Sequence, residues 1–193
     1  MRVCFFHVMK PYLIFLHGIL GTQADWQKLT ENLPHFHCIA LDLPFHGSAK
    51  NHSVQSFDDT SAYLAQHIQS AVGNHPYFLV GYSLGGRIAL YYALCSQQDK
   101  YNLQGLIIEG GNLGLTNEAD QKVRWENDVF WAQRFRHETA TSLLNDWYQQ
   151  PVFAHLTKDQ RKVLIEKRQA NCGDNIAKML LATSLAKQPD LRP

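Results

Sequence analysis

The sequence predicts an α/β fold, a parallel sheet with helices on both faces followed by a helical lid. Three observations carry that expectation. Short apolar runs recur at Tyr12–Leu16, Cys38–Leu41, Tyr77–Val80 and Gln104–Glu109. Helical patterns alternate with them, and after Asn112 no strand-like run appears while four helical segments follow. Strands buried on both faces of a parallel sheet read as continuous apolar stretches, and their alternation with helices implies right-handed crossovers.

The run Tyr12–Leu16 is the first strand, and His17-Gly18-Ile19-Leu20-Gly21 follows it directly. A glycine-bearing loop at that point brings backbone N–H groups close to a ligand, and Ile19 N–H is a candidate donor to an oxyanion. Thr22 and Asp25 fit a capping box, with Trp26, Leu29 and Leu33 at helical spacing, so a helix is expected from about Gln23 to Leu33, before Pro34. The strand Cys38–Leu41 ends in the turn-rich loop Asp42–Ser48. Ser56 and Asp59 cap a helix whose inward face carries Leu64, Ile68 and Val72, closed by Gly73.

Tyr77–Val80 then runs into Gly81-Tyr82-Ser83-Leu84-Gly85, with a helical segment from Gly86 to Cys95. A G-x-S-x-G between a strand and a helix is a nucleophile elbow: the serine sits on a strained turn and its hydroxyl stays exposed. The helix N-terminus beside it offers unpaired N–H groups, Leu84 among them, to developing negative charge. The fourth strand, Gln104–Glu109, is ended by Gly110-Gly111. His17, Asp42, Ser83 and Gly110 therefore all follow strand carboxyl ends, where ligands bind in such sheets. Beyond them, 118–135, 139–148, 157–169 and 175–186 read as lid helices, the third opened by a Thr157/Gln160 capping box. A single domain over 1–193 is expected, with residues 1–112 forming the sheet core and 113–187 the lid.

Composition narrows the function classes. The 193 residues carry a net charge of +1 from 18 basic and 17 acidic side chains, with no basic block, so neither a nucleic-acid partner nor an anionic membrane surface is supported. No apolar run is long enough to span a bilayer, and the stretch from Arg2 to Met9 is broken by His7 and lacks a small-residue cleavage site, so a cytoplasmic protein is expected. Cys4, Cys38, Cys95 and Cys172 show no metal-like spacing and read as buried thiols. Ser83 needs a base to lose its proton. The histidines that follow it, His137 and His155, both fall in lid segments and read as surface or packing residues. Arg87, one helical turn after Ser83, could clamp a carboxylate, while Arg124 and Arg168 sit in the lid. Taken singly, each arginine is more often a solvated charge. Trp147 and Tyr148 could line a pocket or be buried by an amphipathic helix.

The motifs together resemble one family. Phe15-Leu16-His17-Gly18, Asp42-Leu43-Pro44 with His46-Gly47, and Val80–Arg87 are similar to the α/β-hydrolase superfamily. Within it, Trp131-Ala132-Gln133-Arg134-Phe135, Trp147–Phe153 and Ala182–Ala186 with Gln188–Arg192 resemble the menaquinone-biosynthesis lyases of the MenH type, the 2-succinyl-6-hydroxy-2,4-cyclohexadiene-1-carboxylate synthases. That resemblance implies elimination of pyruvate from 2-succinyl-5-enolpyruvyl-6-hydroxy-3-cyclohexene-1-carboxylate. It implies Ser83 as catalytic residue and Ile19 and Leu84 as the oxyanion hole. Tyr82, Arg87, Arg124, Trp147 and Arg168 would hold a polycarboxylate substrate, with no metal or organic cofactor.

In the family pattern an aspartate and then a histidine follow later strands, and neither occurs here before Pro193. The last strands of the hydrolase-like core are thus expected to be missing, leaving an open sheet edge on a fragment, a frameshift product or an inactive remnant. The competing expectations are a serine ester or thioester hydrolase on the same scaffold and a non-catalytic remnant that folds poorly.

Overall fold

The computed structural model describes residues 10–193. The segment Arg2–Met9, with Cys4, lies outside the described residues. Four strands form one sheet: β1 (Tyr12–Leu16), β2 (His37–Leu41), β3 (Tyr77–Tyr82) and β4 (Leu103–Glu109), in the order β2-β1-β3-β4. All three pairings are parallel. Leu16 lies level with Leu41 and with Gly81, and Tyr82 with Glu109, so the strands end at one edge of the sheet and their following loops meet there.

The side-chain period of two sorts β1 and β3 onto two faces. Ile14, Leu16, Tyr77 and Leu79 point into the main core, against Leu64, Ile68 and Val72 of α2 (Phe57–Val72) and Ile88, Ala89 and Tyr92 of α3 (Leu84–Leu94). Leu64 and Ile68 are fully buried. Each such side chain stabilises the fold by about 1.5–3 kcal/mol. Leu13, Phe15 and Val80 point the other way, onto Trp26 and Leu33. Among the described residues β4 has β3 as its one neighbour, and its Ile107 is 54% exposed.

The segment expected as a helix over residues 23–33 is a 3-10 turn, Gln23–Trp26, leading into a single turn of α1 (Gln27–Thr30). Asn32 N–H and Leu33 N–H bond three residues back, to Leu29 and Thr30, so the segment ends as a tight turn ahead of Pro34. Asp25 takes the expected capping contact, its carboxylate accepting from Thr22 N–H at 3.2 Å.

Beyond β4 the chain builds a layer from α4 (Glu118–His137), α5 (Ala140–Trp147), α6 (Lys158–Arg168) and α7 (Gly173–Ala182). Its own core gathers Trp131, Phe135, Leu143, Leu144, Trp147, Ile176 and Leu180 around Leu20 of the β1 exit loop. Trp147 meets Trp131 edge-on at 5.0 Å and Phe135 at 5.2 Å, a favourable aromatic geometry. Met179 and Ala182 of α7 reach back into the sheet core. The helix expected to run to Ala186 stops at Ala182, because Thr183 Oγ1 donates back to the Met179 carbonyl at 2.7 Å and Ser184 Oγ turns to Asp128 at 2.7 Å. A separate 3-10 turn, Leu185–Lys187, follows. The thiols are less buried than expected. Cys172 is exposed at the start of α7, and Cys38 and Cys95 are half-buried.

Candidate active site

The elbow between β3 and α3 follows from sterics. Ser83 has φ +52° and ψ −112°, a conformation that L-residues avoid unless the surroundings impose it. Ser83 N–H donates to the Glu109 carbonyl at 2.8 Å, and Arg87 N–H donates to the Ser83 carbonyl at 3.0 Å, which hold the turn from both sides. A Cβ on Gly85 would come within 2.3 Å of the Leu16 carbonyl oxygen, and one on Gly81 within 2.6 Å of the Gly85 and Gly86 backbone. Only glycine at both positions lets strand and helix pack this closely. The helix thus begins immediately after the serine.

The β1 exit loop is pinned beside the elbow. Gly85 N–H donates to the His17 carbonyl at 3.1 Å. His17, 1% exposed, accepts Leu43 N–H on Nε2 at 3.0 Å, which fixes its proton on Nδ1 for donation to the Gly18 carbonyl at 2.8 Å. Burial, reinforced by neighbouring His46, pushes its pKa down to about 4, so it stays neutral and acts as a fastener between two loops. His46, also buried, sits between the carbonyls of Pro44 and Ile19. Asp42 receives Gln23 N–H at 2.7 Å, and Ser48 N–H and hydroxyl at 2.8 and 2.9 Å. Burial alone would raise its pKa, but these donors hold it below the usual carboxylate range.

The two oxyanion candidates fit this frame. Among the described residues neither Ile19 N–H nor Leu84 N–H has a protein acceptor, and both flank the elbow. The Ser83 hydroxyl has no hydrogen-bond partner among the described residues either.

A cavity of about 140 Å³ opens at this point, lined by Ile19, Tyr82 and Ser83 from the sheet side and by Trp147, Tyr148, His155 and Arg168 from the lid. Trp147, 7% exposed, has a buried indole N–H with no partner. Arg168 is anchored by a 2.6 Å bond to Asp25, which Lys167 also contacts at 2.6 Å. Burial pushes the Asp25 pKa up, yet the hydrogen bonds from Arg168 and Lys167 outweigh it and keep the carboxylate ionised.

Six of the residues singled out in the sequence, Ile19, Tyr82, Ser83, Trp147, Tyr148 and Arg168, therefore meet at one cavity. Arg87 and Arg124 do not line it. They belong to a neighbouring polar cluster under the lid, where Arg87 donates to the Thr183 carbonyl at 2.8 Å and Arg124 pairs with buried Asp128 at 2.8 Å. Burial, with Arg124 adding like-charge repulsion, lowers the Arg87 pKa to about 10, so it remains a cation at neutral pH. Asp25 and His155 were not legible as cavity residues. Asp25 reads locally as a helix cap, and its partner Arg168 is 143 residues away. Larger grooves, about 280 Å³ beside Asp42 and Tyr63 and about 510 Å³ between α5 and α6, contain no strained nucleophile. Among the described residues no cluster of three His, Cys, Asp or Glu side chains could hold a metal ion, and no helix is long and apolar enough to cross a membrane.

Comparison with known proteins bears on the whole of this arrangement. Residues 11–191 match the alpha/beta hydrolase fold family. A protein of Haemophilus influenzae, provisionally named 2-succinyl-6-hydroxy-2,4-cyclohexadiene-1-carboxylate synthase, is 65% identical over 178 residues, which are 92% of this chain and 72% of the relative. The synthase of that name from Serratia proteamaculans is 47% identical over 184 residues, 95% of this chain and 71% of its own length. The solved structure of MenH from S. aureus superposes with a TM-score of 0.84 at 27% identity, over 95% of this chain and 70% of that one. A thermophilic esterase from Thermogutta terrifontis, with a TM-score of 0.76 at 19% identity, over 93% of this chain and 65% of that one, shares the fold.

Proposed function

The chain belongs to the alpha/beta hydrolase family and, within it, to the 2-succinyl-6-hydroxy-2,4-cyclohexadiene-1-carboxylate synthases, and on that premise we propose that its site eliminates pyruvate from 2-succinyl-5-enolpyruvyl-6-hydroxy-3-cyclohexene-1-carboxylate. The observation that carries this reading is the meeting of Ser83, on its strained turn, with Trp147 and Arg168 of the lid at one cavity. Trp147 belongs to one of the lid motifs on which the resemblance to the synthases rests, and Arg168 is a residue that the resemblance implies as a substrate contact.

In the proposed reaction a base takes the proton beside the succinyl ketone. The C–H electron pair becomes a ring double bond, the existing double bond shifts, and the C–O bond to the enolpyruvyl group breaks. Enolpyruvate leaves and ketonises to pyruvate, and no water attacks. Ser83 is the proton acceptor, assisted by a histidine that in the family pattern follows a strand later than β4. Ile19 and Leu84 N–H groups stabilise the oxygen on which charge develops. Tyr82 and the free indole N–H of Trp147 contact the substrate, and Arg168 binds one carboxylate. Arg87 and Arg124 lie outside the cavity lining and contribute positive charge from behind it to the field that the other acids meet. A soluble small molecule is thus the partner, and a cytoplasmic setting suits it.

The test is pyruvate release from the enolpyruvyl substrate by the protein carrying this chain, with an aryl ester as control. The reading expects pyruvate without appreciable ester cleavage. Efficient ester cleavage with no pyruvate would assign the site to a hydrolase instead.

A further inference from the structure

His155 is a titratable side chain of the cavity to which the elimination gives no role. His155 lies in the loop between the 3-10 turn Pro151–Phe153 and α6, and lines the same cavity as Ser83 and Arg168. It is exposed, and among the described residues it has neither a hydrogen-bond nor an ion-pair partner. The loop that carries it is held by its backbone: Ala154 N–H donates to Pro151 at 3.0 Å, Leu156 N–H to Phe153 at 3.0 Å, and the Arg161 guanidinium to the Phe153 carbonyl at 3.3 Å. Thr157 caps α6 directly after it. The imidazole is thus presented to the cavity by a fixed turn rather than by a free segment.

The cavity's cationic side is weak for a polyacid. Arg168 gives its nearest contact to Asp25, at 2.6 Å, a carboxylate that Lys167 also contacts at 2.6 Å, so the three groups together offer an incoming polyacid a single net positive charge. A second cation facing the ligand would correct this. We propose that His155, which lines the cavity together with Arg168, is a specificity residue whose protonated imidazole recognises a carboxylate of the bound polyacid. This rests on the polycarboxylate reading of the site. The other titratable groups facing it are Asp25 and Tyr82 from the sheet side and Tyr148 and Arg168 from the lid, with Lys167 acting through Asp25 and Lys158, Asp159 and Arg161 flanking on α6. Of these side-chain types, histidine is the one that ordinarily changes charge between about pH 5 and 8. On this proposal affinity for an anionic ligand is therefore required to increase as pH falls through that range, and the increase to disappear when His155 is replaced.

The probe is 2-succinylbenzoate, a stable aromatic dicarboxylate that keeps the succinyl and carboxylate groups, titrated calorimetrically into the full chain at about pH 6 and about pH 8.5. The wild-type chain binds it more tightly at the lower pH. His155→Gln loses about three- to fivefold in affinity at the lower pH and nothing at the higher, the scale of a single solvent-exposed charge pair. The dimethyl ester of the probe shows no His155 effect at either pH. Binding by the wild-type chain with the same pH dependence in His155→Gln overturns the proposal and leaves the site reading intact. An absence of dicarboxylate binding at both pH values overturns both.

Discussion

The sheet half and the lid half hold themselves together differently. In the sheet half, β1 has four consecutive buried residues out of five, and α2 and α3 close over it with aliphatic side chains at helical spacing. In the lid, α6 buries no residue fully and α4 buries a carboxylate, Asp128, which Arg124 and Ser184 pair with. The lid relies on one aromatic cluster and on long-range polar ties, Arg168 to Asp25 and Asn171 to the Leu20 carbonyl at 3.1 Å. On the proposed function the division is functional as well as structural. Rigid backbone sterics are what hold a serine in a strained conformation, whereas recognition of a charged ligand needs polar side chains on a layer that can adjust.

The sharpest break of that comparison is a methyl group at Gly85. Gly85→Ala places a Cβ against the Leu16 carbonyl, backbone that cannot yield, and is expected to cost more than about 3 kcal/mol or to prevent folding, as seen in a thermal melt. Next comes a matched pair of truncations. Ile88→Ala in the sheet core should lose about 2–5 kcal/mol, while Val163→Ala on α6, 61% exposed, should stay within about 0.5 kcal/mol in denaturant titration. Equal losses would mean that the lid is as tightly packed as the core.

Acid should loosen the loop that joins the two halves. The His17 pKa is lowered in the fold to about 4 from its ordinary 6.5, so folding favours the neutral ring. Its contribution is complete above the unfolded value and is lost as pH falls from about 6.5 through about 4, an effect of roughly 3 kcal/mol by linkage. His17→Asn should flatten stability over that window, measured by melting temperature against pH. A smaller effect has the opposite sign. Ser83→Gly relieves the positive φ and should stabilise the fold by about 1 kcal/mol while removing activity.

The same division explains what the sequence could tell. Apolar runs and flanking glycines are local signals, and they located all four strands of the described residues, the elbow and the convergence of His17, Asp42, Ser83 and Gly110. The end of α7 was not legible, because Thr183 and Ser184 stop the helix through bonds to Met179 and Asp128, the second of them 56 residues away. Arg87 follows Ser83 by one helical turn, yet a turn of helix also swings the side chain inward, and it lies against Thr183 and the Phe57 ring rather than in the cavity. His155 reads as a surface residue, since only the return of the α5–α6 loop over the elbow brings it to the cavity.

The central claim, that the sheet half does the chemistry and the lid half the recognition, is tested most directly by steady-state pyruvate release in two variants side by side. The account predicts that Ser83→Ala loses kcat by about a thousandfold or more with KM little changed, while Arg168→Gln raises KM with a much smaller loss in kcat. A Ser83→Ala variant that retains kcat, or an Arg168→Gln variant that loses kcat alone, would contradict it.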